Sequence, residues 1–304
     1  MTQNANAARL PADVLDWVSS QMGDVVDALD TSWPRETSRV WCVTSSTGRA
    51  YVKISPSASD FTQEIGGYSY AKRALPEPER PRLLSTHDGL KALLSSLQPG
   101  VVMRGLPLEP AEELSAHTEA GRLLRRWHDH SGAAPVEDRD VARKRVTELA
   151  DEARACRPSM SELLDPFQVS LLTAAANELP ELAERNASVT CHGDFSTRNW
   201  LWDRSSMRLG VIDFERTGPG YIVEDMVWLY GALWLTRPSL RRAFFDGYGR
   251  ALSGHEERLL QLLTVRLGVS YWHTGLTTGR DELVERGRLG MDLLSKHLDP
   301  EDRV

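Results

Sequence analysis

Hydrophobic and polar positions in the first hundred residues alternate in short runs broken by turns. SRVWCVT (38–44) and RAYVKI (49–54) flank the turn SSTG (45–48), a strand, tight turn, strand pattern that predicts part of a small antiparallel sheet. In the second run Lys53 and Tyr51 fall on one face and Val52 and Ile54 on the other, because side chains of a strand alternate. FTQEIGGYSYAKRAL (61–75) has helical spacing, weakened in its middle by Gly66 and Gly67, and the proline-rich PEPERPR closes it. KALLSSL (91–97) reads as a buried strand, and QPG (98–100) as a turn able to hinge two lobes.

Beyond residue 100 the period becomes helical. Ala116, Ala120, Leu123, Leu124 and Trp127 share one face, as do Leu163, Phe167, Leu171, Ala175 and Leu179 further on. Helical patterns return in 223–235, 255–272 and 280–298, after two short apolar strands, NWLW and LGVIDF, joined by the polar turn DRSSMR. The pattern predicts an α+β chain: residues 1–97 as a small N-terminal antiparallel β lobe with one helix, and 98–304 as a larger, mainly α-helical C-terminal lobe. There is no internal repeat and no low-complexity segment.

Composition narrows the partners. A net charge of −7 provides no basic field for nucleic acid. Three cysteines, Cys42, Cys156 and Cys191, show neither paired nor metal-ligand spacing, which fits a reducing cytoplasm. No basic segment precedes an apolar core at the N-terminus, and no apolar run approaches the ~18 residues of a membrane span. We therefore expect a cytoplasmic protein, monomeric or a simple homodimer, with no nucleic-acid or membrane partner.

The run CHGDFSTRNWLWD (191–203), followed at once by RLGVIDFE (208–215), concentrates the chemistry. Asn199 and Asp213 fall at adjacent ends of one strand pair, and Asp194 lies on the loop that enters it. Phosphoryl transfer depends mainly on positioning and charge neutralisation, and magnesium takes hard oxygen ligands such as carboxylate and amide. The reading assigns Asp213 as the main magnesium ligand and Asn199 as ligand of a second ion. Asp194 would orient an acceptor hydroxyl and accept its proton, and His192 would brace the loop by hydrogen bonding. Either piece alone is compatible with an ordinary capped loop; the two in order, with apolar flanks, point to catalysis. Lys53, the only one of five lysines in the interior of a predicted apolar strand, is the candidate for gripping donor phosphates, with Glu64 as its partner. Taken alone, that pair would be a solvated surface pair.

HGDFSTRN (192–199), VIDFE (211–215), Asp225, and the VKI lysine with Glu64 together resemble the aminoglycoside phosphotransferase and choline kinase family, small-molecule kinases with a protein-kinase-like fold. The resemblance runs from about residue 30 to at least residue 235. It implies ATP, with GTP possible, and Mg2+ as cofactors, and WPRETSR (33–39) as the loop over the phosphates, with Thr37 and Ser38 as donors. It also implies that backbone groups of Ser96, Leu97 and Gln98 meet the adenine edge. HGD and DFE replace the HRD and DFG of protein kinases, and no long activation loop follows. Asp225 would cap a helix or brace the catalytic loop.

The acceptor is less legible. Glu109, Glu112, Glu113 and Glu119, with Asp281, Glu282, Glu285 and Asp292, would suit a polycationic antibiotic if they line a pocket, but such runs also form solvated helix faces. Trp228, Trp234 and Trp272 would suit a flatter antibiotic, or fill core. Antibiotic phosphorylation, in resistance or producer self-protection, is the leading expectation. Phosphorylation of choline, ethanolamine, homoserine or a sugar is the alternative, and a non-catalytic kinase-fold binding protein the rival from another class.

Overall fold

The computed structural model describes residues 9–32, 38–130, 132 and 135–298. In chain order the elements begin with α1 (Ala12–Met22), β1 (Val25–Asp30), β2 (Arg39–Ser45), β3 (Gly48–Ile54), α2 (Ala58–Ala74), β4 (Leu83–His87), β5 (Ala92–Ser96) and β6 (Val101–Val102). There follow α3 (Pro110–His130), α4 (Val136–Met160), α5 (Pro166–Arg185), β7 (Ser188–Cys191), β8 (Trp200–Asp203), β9 (Arg208–Val211) and β10 (Gly218–Tyr221). After a short 3-10 turn come α6 (Val227–Leu229), a π turn, α7 (Pro238–Tyr248), α8 (Gly254–Thr278) and α9 (Asp281–Leu298). Among the described residues no helix is long and apolar enough to cross a membrane.

The chain divides into two compact units. The first holds residues up to Arg104 together with Asn199–Thr217, and the second holds Gly105–Arg198 with Gly218 onward. Where the pattern of the chain suggests a single break after residue 97, the β8–β9 hairpin thus groups with the N-terminal segment.

In the first unit five antiparallel strands lie in the order β1-β2-β3-β5-β4. Lys53 sits opposite Val40 on β2 and Leu93 on β5, at the centre of the sheet. The alternation expected for RAYVKI holds, since Ala50 and Val52 pack with Trp41, Val43, Ala92 and Leu94 against Val14, Trp17 and Val18 of α1. That helix is a second one in this unit, where the sequence pattern predicts only one. α2 starts earlier than its apolar pattern suggests, because Ser57 caps it by accepting the Asp60 N–H at 3.1 Å. A second small sheet, β6-β8-β9, carries the predicted hairpin, tied down where the Val211 amide donates to the Glu79 carbonyl at 2.9 Å.

The second unit is helical, with one two-stranded sheet, β7 with β10, pairing Cys191 with Gly218 and Ser188 with Tyr221. Trp127, Leu123 and Leu124 of α3 are fully buried, as the helical stripe predicts. The expected single helix over 223–235 is instead a 3-10 turn at Ile222–Met226, one α turn and a π turn at Tyr230–Trp234. The 3-10 turn is opened by Glu224, whose carboxylate accepts the Tyr221 N–H at 2.8 Å and pairs with Arg145 at 2.5 Å.

Candidate active site

In the first unit, segments far apart in sequence meet at Lys53. Its ammonium lies 3.1 Å from Glu64, 2.8 Å from Asp213 and 2.8 Å from Glu215. The helix glutamate is 1% exposed, so this is not a solvated surface pair. Burial alone would lower the pKa of the Lys53 ammonium, but Asp213, Glu64 and Glu215 together hold it above the ordinary lysine value. Burial pushes Glu64 up to about 7 against the pull of Lys53.

Two backbone features place these carboxylates. Asp213 adopts φ 70°, a left-handed conformation rare outside glycine, at the point where the chain leaves β9. Gly67 lets α2 approach the loop after it: a Cβ at this position would lie 2.6 Å from the Phe214 Cβ and would collide with its carbonyl oxygen. The glycines that weaken the helix on paper thus include one required by packing. Asn199 is buried, and its carbonyl accepts the Ile212 N–H at 3.1 Å, so Asn199 and Asp213 flank the same end of the hairpin. Amide and carboxylate oxygens are the hard donors that magnesium takes, so the residues at this end fit that ion.

Of the expected nucleotide contacts, Thr37 lies outside the described residues. Ser38 is buried and its hydroxyl donates to Glu215 at 3.2 Å. The Ser96 amide donates to the Arg82 carbonyl and its hydroxyl accepts the Arg82 N–H, both at 2.9 Å, which commits this residue to the sheet. Leu97 is exposed, whereas the Gln98 side chain turns inward, donates to the Pro78 carbonyl and packs on Gly210.

The HGD loop belongs to the second unit, and Asp225 holds it. One carboxylate oxygen of Asp225 accepts the His192 N–H at 2.8 Å and the other accepts the Gly193 N–H at 2.7 Å. The first oxygen also lies 3.0 Å from His128 Nε2, and His128 Nδ1 lies 2.9 Å from the Tyr248 hydroxyl. Burial works to raise the Asp225 pKa, yet His128 and the His192 amide hold it below the usual carboxylate range. Cys191 lies near this group, its thiol donating to the Tyr221 carbonyl at 3.2 Å. Gly193 turns the loop at φ 83°. His192 is fully buried against Trp127 and Phe195, and its Nδ1 accepts the Asp194 N–H at 3.3 Å. The Asp194 carboxylate accepts two N–H groups of Arg198, at 3.0 and 2.5 Å.

The sequence motifs single out Lys53, Glu64, Asp213, His192 and Asp194; the expected Lys53–Glu64 pair is present, whereas the motifs do not name Lys53 as a partner of Asp213 or Arg198 as the partner of Asp194. Glu215, Arg198, His128 and Tyr248 are not singled out by them. His128 lies beside Trp127 on the α3 stripe, and nothing local to it reveals a partner 97 residues away.

The fold is similar to those of aminoglycoside phosphotransferases of known structure. A thermostable mutant of aminoglycoside phosphotransferase APH(4)-Ia matches at a TM-score of 0.62 with 18% identity, over 93% of this chain and 98% of the other. ADP-bound APH(2'')-Ib matches at 0.65 with 15% identity, over 95% and 99%. Spectinomycin phosphotransferase APH(9)-Ia, in complex with ADP and spectinomycin, matches at 0.60 with 14% identity, over 97% and 96%. No functionally curated protein matches the chain by sequence. Residues 31–261 match the phosphotransferase enzyme family, and the chain belongs to that family. It is a small-molecule kinase.

Proposed function

We propose that this enzyme transfers the terminal phosphoryl group of ATP, with magnesium, to a hydroxyl of a small-molecule antibiotic. The observation that carries the reading is the meeting of Lys53 with Glu64 and Asp213, because a strand lysine fixed by a buried helix carboxylate is what a donor phosphate needs. Related folds support the nucleotide and the acceptor class: APH(4)-Ia forms a ternary complex with ADP and hygromycin B.

In this reading Lys53 holds the donor phosphates, and Asn199 and Asp213 hold the metal. Magnesium, when bound, would neutralise the negative charge that builds on the phosphoryl oxygens. Asp194 orients the acceptor hydroxyl and takes its proton, while Asp225 and His192 keep its loop in place. Backbone groups of Leu97 and Gln98 meet the adenine edge.

The test has two arms. Antibiotics and small metabolites, including choline, homoserine and sugars, are incubated with ATP or GTP and magnesium, and mass spectrometry scores the phosphate adduct. Asp194→Ala is expected to abolish transfer to the acceptor so found while ADP still binds. Turnover unchanged in that variant refutes the role of Asp194, and an adduct only on a metabolite moves the acceptor out of the antibiotic class.

A further inference from the structure

A lysine ammonium has three N–H donors and no acceptor. At Lys53 two of those donors are hydrogen-bonded, to Asp213 and Glu215 at 2.8 Å each, and the Glu64 carboxylate lies 3.1 Å from the ammonium as an ion pair without a hydrogen bond. A phosphate oxygen therefore gains either of the two bonded N–H groups only by displacing Asp213 or Glu215. Glu64 is the least free to move, its side chain 2% exposed against 27% for Asp213 and 19% for Glu215. Glu215 does more than join the ring. The oxygen that accepts from Lys53 also accepts from the Ser38 hydroxyl at 3.2 Å. One carboxylate oxygen thus collects both a strand ammonium and a loop hydroxyl, the two donors expected to serve nucleotide phosphate.

We propose that Glu215 is an internal stand-in for phosphate and makes nucleotide binding at this site depend on a divalent cation. The proposal rests on the reading of the site as a nucleotide-dependent phosphotransferase. Its physical basis is charge balance. One ammonium faces three carboxylates, so a bare polyphosphate would bring further negative charge beside a surplus of it, in a partly buried setting where like charges are poorly screened. Once Asp213 and Glu215 turn toward a divalent cation, two ammonium donors and the Ser38 hydroxyl are released to phosphate together. Nucleotide and metal then bind as a pair, each removing the obstacle to the other.

The test is calorimetric titration of ADP into the full chain, in magnesium chloride and in EDTA, with the parent protein, Glu215→Gln and Glu215→Ala. The glutamine keeps the shape of the side chain and removes its charge; the alanine removes the acceptor altogether, and thermal melting of each variant confirms that it folds. The parent is expected to lose about thirtyfold or more in ADP affinity when magnesium is withdrawn. Both variants are expected to bind ADP in EDTA about tenfold more tightly than the parent does, so that the magnesium dependence narrows. If ADP affinity in EDTA is the same in parent and variants, the proposal is overturned and the nucleotide reading of the site survives. If the parent binds ADP under neither condition, that reading fails and the proposal falls with it.

Discussion

Replacing Asp225 by asparagine removes one charge from the centre of the HGD loop and leaves its volume unchanged. The carboxylate accepts the amides of His192 and Gly193 and faces His128 Nε2. Asparagine has one acceptor oxygen, so at most one side of this arrangement keeps its bond, and the new NH2 group is set against another donor. A hydrogen bond to a charged group contributes about 1.5–3 kcal/mol, and removal of one partner of a buried pair costs about 3–5 kcal/mol. About 3 kcal/mol is the reasonable expectation after the smaller desolvation cost of the neutral side chain is credited. In a unit of this size that corresponds to a fall in melting midpoint of roughly 6–12 °C, read by tryptophan fluorescence. The pH dependence supplies an internal control. A carboxylate whose folded pKa is depressed adds stability that is present above its unfolded pKa and is lost as pH falls through the folded value, so the gap between parent and Asp225→Asn should close below about pH 4. Because Asp225 holds the loop that carries Asp194, kcat should fall about 100-fold while ADP affinity is retained. A midpoint within about 2 °C of the parent, together with an unchanged kcat, would contradict this role for Asp225.

Three further outcomes are expected. Gly67→Ala should destabilise the protein by about 1–2 kcal/mol despite a gain of about 1 kcal/mol in helix propensity, because the new Cβ meets Phe214; Gly66→Ala, with nothing within 4 Å, should stabilise it by up to about 1 kcal/mol. Urea unfolding of both variants decides this, and a Gly67→Ala protein as stable as Gly66→Ala contradicts it. His117 is fully buried, and burial pushes its pKa down to about 4, so the unfolded chain takes up a proton there as pH falls below the ordinary histidine value while the folded chain does not. Stability should fall by about 1.6 kcal/mol between pH 6.5 and pH 5 at this residue alone, and His117→Gln should lose that part of the slope; an unchanged slope in urea unfolding contradicts it. Finally, kcat/KM for the acceptor should change less than about threefold between roughly 50 and 300 mM potassium chloride. A steep fall would mean that unpaired carboxylates draw in a polycation.

That last expectation comes from where the acidic runs of the sequence end up. Glu113 forms a two-pronged pair with Arg237, Glu119 pairs with Arg122 at 2.5 Å, and Arg288 takes both Glu285 at 2.8 Å and Asp292 at 3.1 Å. Glu282 lies 3.6 Å from Arg280. Carboxylates already balanced by guanidinium groups have little charge to offer a polycationic ligand, and Asp194 itself is matched by Arg198. Within the antibiotic class, this favours an acceptor of low charge that presents its hydroxyl through shape and hydrogen bonding.

The parts of the molecule that were legible in the sequence are those whose physics is local. Alternation in RAYVKI is enough to separate Lys53 from the core face of β3, because strand geometry acts over two residues. The hairpin of β8 and β9 is legible for the same reason, and with it the position of Asp213 at its end. α1 carries a helical stripe of its own, Val14, Trp17, Val18 and Met22, but its place in the fold is decided by burial of that stripe beneath strands that follow it. The same holds for charge. Glu215 and Lys53 are 162 residues apart, as Glu113 and Arg237 are 124 apart, and each pair is made by the fold. Whether a glutamate lines a pocket, neutralises an arginine or pairs with a lysine ammonium is therefore decided by which element is folded against it. Local motifs can nominate a reaction because they carry the proposed metal ligands and the aspartate proposed to face the acceptor on one short stretch; they cannot nominate an acceptor whose recognition depends on which of these distant charges are left unmatched.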